Sequence, residues 1–164
     1  MAYKMNRLYF TIAFLLMLSL SASAQYSSRR EMRGVWVATV ANIDWPSKPG
    51  LTVEEQQKEF DNLISVFKEY KLNTIVFQIR PCADAFYASE LEPWSRWLNG
   101  EQGKAPDPFY DPLDYAIKKC RTEGIDIHVW LNPYRALADT SQTVTSDHLL
   151  KRHPEWFLTY GKTV

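Results

Sequence analysis

Three short stretches of this chain hold the residue types from which a ligand site is built. The first is Asn42-Ile43-Asp44-Trp45-Pro46. The second is Gln78-x-Arg80-Pro81-x-x-Asp84-x-Phe86-Tyr87, followed by Trp94 and Trp97. The third is His128-x-Trp130-x-Asn132-Pro133-Tyr134-Arg135. Indole faces stack on the apolar faces of sugar rings, while amides, guanidinium groups and carboxylates hydrogen-bond hydroxyls at fixed positions. Taken singly, each tryptophan reads as a packing residue. Their joint arrival in all three stretches points to carbohydrate.

Asp44 and Asp84 are the acids of these stretches. Glycoside hydrolysis needs two carboxyl groups about 5–10 Å apart, a separation set by the fold and not by spacing along the chain. Each aspartate also has a plainer structural role, which outweighs the catalytic one: Asp44 as the cap of a turn, Asp84 as the partner of Arg80 in holding its loop. Asp126 opens a strand, away from the site, and reads as structural. His128 fits a hydrogen-bonded interior histidine better than a general base or a ligand. No metal or other cofactor is expected, because the remaining histidines, His148 and His153, lie in the tail and two cysteines do not make a four-ligand zinc site. Cys82 in a loop and Cys120 on a helix stripe are expected as buried free thiols in preference to a disulfide. The chain has no G-x-S-x-G elbow, phosphate loop or H-E-x-x-H, so serine-hydrolase, NTPase and zincin chemistries drop out.

These stretches must be held by something, and the intervening pattern says what. Residues 32–40 (MRGVWVATV), 73–80 (NTIVFQIR) and 125–131 (IDIHVWL) are β-rich runs bounded by turn residues. Between the first two, Thr52-Val53-Glu54-Glu55 fits a capping box, and Phe60, Leu63, Ile64 and Phe67 form one apolar helix stripe. A long loop is expected over 81–110. Asp111-Pro112 then opens a second helix, with Leu113, Ala116, Ile117 and Cys120 as its stripe and Gly124 as its stop. Strands alternating with helices predict βαβ units and a parallel sheet.

Strand parity narrows the architecture. Ile125, Ile127, Val129 and Leu131 share one face, opposite Asp126, His128, Trp130 and Asn132. Ile75, Phe77 and Ile79 likewise oppose Thr74, Val76, Gln78 and Arg80, and Val35 and Val37 oppose Trp36. A strand buried between two helix layers is apolar on both faces. One apolar face, with the other turning polar toward the strand C-terminus, predicts α/β units of a (β/α)₈ TIM barrel, with helices outside and a site at the strand ends.

Composition bounds the rest. The chain has 164 residues, 46% hydrophobic and 14% aromatic, which excludes a disordered or low-complexity chain. Its formal charge of zero gives no electrostatic footprint for nucleic acid. Lys4 and Arg7 precede an apolar run from Leu8 to Leu20 and then Ser21-Ala22-Ser23-Ala24, the pattern of a cleavable secretory signal with cleavage after Ala24. The run is shorter than the roughly 20 residues of a membrane span, so no stable anchor is expected after cleavage. Removing 24 of the 164 residues leaves 140 and shifts the formal charge from 0 to −2, describing a secreted or periplasmic domain.

The stretches MRGVWVATVANIDWPS, NTIVFQIRPCADAFYASELEPWSRWLNGEQGK and GIDIHVWLNPYRA resemble the glycosyl-hydrolase-like 10 family, secreted bacterial barrel proteins. His153-Pro154-Glu155-Trp156 extends the match. The resemblance implies a glycosidase acting on a bacterial polysaccharide, with the glycan strands of peptidoglycan as the expected substrate. It implies substrate contacts at Asn42, Asp44, Trp45, Gln78, Arg80, Asp84, His128, Trp130, Asn132, Tyr134 and Arg135. In the family a fourth strand ends in an Asp-Asp-Tyr-like segment, where a catalytic carboxylate is expected; that segment would lie beyond residue 164. A barrel takes ~250 residues and eight units, so the expectation is three of eight units, a fragment whose catalytic acids lie downstream. The alternative is a non-catalytic secreted carbohydrate-binding or structural module.

Overall fold

The computed structural model describes residues 31–139 and 141–158; the expected signal over 1–24 lies outside the described residues. The order is β1 (Gly34–Val37), α1 (Val53–Glu69), β2 (Thr74–Arg80), α2 (Arg96–Asn99), α3 (Pro112–Glu123), β3 (Asp126–Leu131) and α4 (Leu149–Arg152). The three strands form one parallel sheet in the order β1-β2-β3. The α/β class and the parallel pairing are as the alternation of elements predicted.

The helices begin and end on the chemistry read from the sequence. Thr52 accepts from the Glu55 backbone N–H while the Glu55 carboxylate accepts from the Thr52 N–H, a complete capping box at the start of α1. Asp111 caps α3, whose first residue is Pro112, and Gly124 closes it with a φ of 69°, a left-handed conformation that costs glycine least. Both helices cover the same side of the sheet. Phe60, Ile64 and Phe67 of α1 and Ala116 and Cys120 of α3 are buried against Val37, Ile75, Phe77 and Ile79. Each such aromatic or aliphatic side chain contributes about 1.5–3 kcal/mol on leaving water.

Cover on that side thins along β3, where Ile127 still packs against the core. Val129 and Leu131, expected to share the helix-covered face, are 46% and 45% exposed. The reason is positional: α1 and α3 connect β1 to β2 and β2 to β3, and among the described residues no further helix flanks β3 on its other side. Among the described residues no helix covers the opposite face of the sheet, and there Trp36 is 64% exposed.

Three boundaries differ from expectation. β1 is confined to Gly34–Val37 because the chain turns at Val40–Asn42, where Ala41 and Asn42 both take a φ of 53°. The long loop after β2 contains the single turn α2, capped by the Ser95 side chain and ended by Gly100 at φ 84°, and a one-residue bridge from Ala85 to Trp94. The segment expected as a tail holds α4, capped by His148. Single turns such as α2 and α4 are too short to show an apolar period.

Candidate functional site

The C-terminal ends of the strands release three loops that fasten to one another. Asn42 Nδ2 donates to the carbonyls of Pro46 and Trp97, both at 2.8 Å, joining the loop after β1 to α2. Arg80 donates to both carboxylate oxygens of Glu92 and to the carbonyl of Asn132. That pair is well shielded, with side-chain exposures of 14% and 6%. Asn132 returns a bond from Nδ2 to the Pro81 carbonyl at 2.9 Å. The alternative of Asp84 as partner of Arg80 is therefore corrected: Glu92 takes the guanidinium. Between Gln78 and Arg80 the pairing with β3 slips by one residue, a bulge that re-aims the strand end toward Glu92.

Asp84 is 1% exposed and turned inward, accepting from the Cys82 backbone N–H at 3.1 Å and from the Ser95 side chain. Burial is the dominant influence and pushes its carboxyl up to about 6, against those hydrogen bonds and the Arg96 charge. Asp44 is exposed, and its Oδ2 accepts from the Ala38 N–H at 2.7 Å, the turn-capping role foreseen for it. It also lines a cavity of about 290 Å³ with Trp45, Glu59 and Leu63, on the α1 side of the molecule. Trp45 is a core residue: its indole N–H donates to the Gln56 carbonyl, and its ring packs edge-on against Phe60 and Phe77. Tyr134 and Arg135 are exposed beyond β3, Tyr134 by 90%.

What remains gathers on the helix-free face. Trp36, Val76 and His128 stand side by side across β1, β2 and β3, and Gln78 stands beside Trp130 further along. The Trp36 and Trp130 rings meet edge-to-face, with centroids 5.1 Å apart and planes at 76°. Trp130 Nε1 donates to Asn132 Oδ1 at 2.8 Å, so the indole is oriented by the same asparagine that binds the Pro81 carbonyl. Gln78 is fully buried, and its Oε1 accepts from the backbone N–H groups of Thr39 and Val40 at 3.0 and 2.9 Å. Thus Gln78, Arg80, His128, Trp130 and Asn132 are brought together, while Asn42 and Asp84 hold loops and Trp45 fills the core.

Strand parity puts Trp36 on this face, but its ring partner lies two strands away in the sheet, where no spacing along the chain signals it. Glu92 and His148 had no local signal at all. Cys82 and Cys120 are both buried and unpaired, their thiols pushed up to about 11 chiefly by burial. Among the described residues, no three His, Cys, Asp or Glu side chains converge to hold a metal ion. No helix among them is long and apolar enough to cross a membrane.

A parallel βα sheet whose loops converge at the strand C-terminal ends has the arrangement of successive units of a (β/α)₈ barrel. Residues 31–163 match the glycosyl hydrolase-like 10 family, and the chain belongs to it. It is similar to the glycosyl hydrolase YngK of Bacillus subtilis (strain 168), 43% identical over 150 residues, covering 90% of this chain and 29% of that protein. It is also similar to the glycosyl hydrolase DigH of Escherichia coli (strain K12), 31% identical over 159 residues, 85% of this chain and 35% of the relative. The chain spans about a third of the length of these relatives.

Proposed function

We propose that this chain belongs to a secreted glycoside hydrolase acting on a bacterial polysaccharide, with peptidoglycan glycan strands as the substrate. The observation that carries this is the Trp36–Trp130 pair on the helix-free face of the sheet, in a chain of glycosyl hydrolase-like family. Indoles on an open sheet face offer the flat apolar surface that a sugar ring covers, and His128 beside them supplies a polar rim. Secretion is supported by the charged start, apolar run and small residues over 1–24, and a glycan of the cell envelope is the polymer such a protein would meet.

In this proposal the described face binds and the cleavage chemistry is completed elsewhere. Glycosidic cleavage takes one carboxylic acid to protonate the leaving oxygen and one carboxylate to attack or activate water. Asp84 is buried beneath its own loop and Asp44 caps a turn. The acid pair is then assigned to barrel strands beyond these three.

The test is incubation of the whole protein with peptide-free peptidoglycan glycan strands, alongside cellulose and starch, scoring bound polymer and new reducing ends. Cleavage of the glycan strands is expected. Binding without cleavage favours the non-catalytic carbohydrate-binding module, and neither binding nor cleavage of any polymer refutes the proposal.

A further inference from the structure

The loops after β2 and β3 enclose a cavity that shares no residue with the indole face. It measures about 270 Å³, with Arg96, Glu101 and Gln102 on one wall and Thr143, Val144 and Thr145 on the other. The two walls are fastened to each other. Arg96 Nη2 donates to the Thr143 carbonyl. Gln102 Oε1 accepts the Thr145 N–H at 2.9 Å and faces the Thr145 hydroxyl at 3.4 Å. Both walls follow strand C-terminal ends, so the cavity belongs to the end of the sheet where the site loops gather.

Its walls offer donors in excess of acceptors. The bond from Thr145 fixes the Gln102 amide, because turning it over would set NH₂ against an N–H donor. That leaves Gln102 Nε2 without a partner among the described residues, on a residue only 9% exposed. Arg96 commits one nitrogen to Thr143 and forms an ion pair with no carboxylate among the described residues. Asp84 feels its charge but is 1% exposed and turned to Cys82 and Ser95. A guanidinium fork matches the two oxygens of a carboxylate, and a neighbouring amide N–H adds a further donor. Glu101, exposed on the same wall, favours a group of single negative charge over a dianion. Sites that enclose a whole ligand run to roughly 300–1,000 Å³, so this smaller cavity suits one substituent of a longer molecule.

We infer that the cavity is an acidic-sugar subsite, in which Arg96 and Gln102 Nε2 bind the carboxylate of one sugar of a bound glycan. The inference rests on the carbohydrate reading above and adds to it the class of sugar, one that bears a free carboxylate. Neutral polymers such as cellulose and starch lack that group.

The whole protein is titrated with peptide-free peptidoglycan glycan strands, whose carboxylates are free, and with the same strands after carbodiimide conversion of those carboxylates to methylamides. Wild type should bind the free-acid strands about tenfold more tightly or better. Arg96→Gln should bind both strands alike, at about the wild-type affinity for the amidated ones. A merely structural Arg96, holding only Thr143, would weaken both strands equally and keep the preference. In wild type carrying ¹⁵N-arginine, the Arg96 side-chain signal should shift with free-acid strands and not with amidated ones, a readout independent of the variant's folding. No preference in wild type, a preference kept by folded Arg96→Gln, or an Arg96 signal that does not move overturns the inference and leaves the carbohydrate reading standing. A wild-type protein that binds neither strand overturns both.

Discussion

His148 Nε2 lies 3.0 Å from the carbonyl oxygen of Cys82, and this contact ties the segment after β3 to the loop after β2. The tautomer follows from the other ring nitrogen. Nδ1 accepts the Leu150 N–H at the start of α4, so Nε2 carries the proton and donates it to Cys82. The backbone N–H of the same residue is held by Asp84. Two titratable groups therefore grip one residue, and burial moves both toward the neutral form: Asp84 up to about 6, His148 below its ordinary 6.5.

Those shifts have opposite consequences for stability. Asp84, raised from 3.8, stabilises the fold in full below that pH, and the contribution is lost as pH rises through about 6. His148, lowered, stabilises in full above 6.5, and its contribution is lost as pH falls through its folded value. Asp84→Asn should therefore raise the melting temperature at pH 7.5, by about 1–3 kcal/mol of stability, and give little gain at pH 4. Melting curves of both proteins at the two pH values check this; an equal shift at both would refute the buried-charge assignment.

The Arg80–Glu92 pair offers a second test. Glu92→Gln leaves a shielded guanidinium without its counter-charge, and a loss of about 3–5 kcal/mol is expected. Because Arg80 also holds the Asn132 carbonyl, and Asn132 orients Trp130, glycan affinity should fall with it. Urea unfolding together with a glycan titration measures both, and a variant with wild-type stability would show the pair to be dispensable.

Two tryptophans from similar motifs should behave oppositely. Trp45→Ala empties a packed core position and should cost about 3–5 kcal/mol. Trp130→Ala should melt close to wild type yet lose most glycan binding. If Trp45→Ala proved the binding-defective variant of normal stability, the assignment of the sugar face would be reversed.

At the start of α1, Thr52→Ala removes one half of the capping box. A loss of about 1 kcal/mol in urea unfolding is expected, with glycan binding unaltered.

The helices and strands were legible because their signals are local. Thr52 and Glu55, Asp111 and Pro112, and Gly124 declare their helix ends within four residues, and the alternation through 74–80 separates Phe77 from Gln78. The site was half legible. Residue type and position placed Gln78, Trp130 and Asn132 together, but the same types put Trp45 among them, although its indole is in the core. What the sequence concealed is pairing at long range: Arg80 finds Glu92 across a loop, Trp36 finds Trp130 across an intervening strand, and His148 finds Cys82 across 66 residues. Nothing in local spacing encodes which of several nearby acids or rings a side chain will meet.

The edge-to-face indoles of Trp36 and Trp130 have a practical consequence. Two such chromophores at 5.1 Å share their excited states, so the pair should give a split ultraviolet circular-dichroism band that isolated tryptophans lack. A ligand that parts the rings would erase that band. The protein thus carries its own optical label at the place where sugar is expected, and occupancy can be followed without a dye, a tag or a catalytic assay.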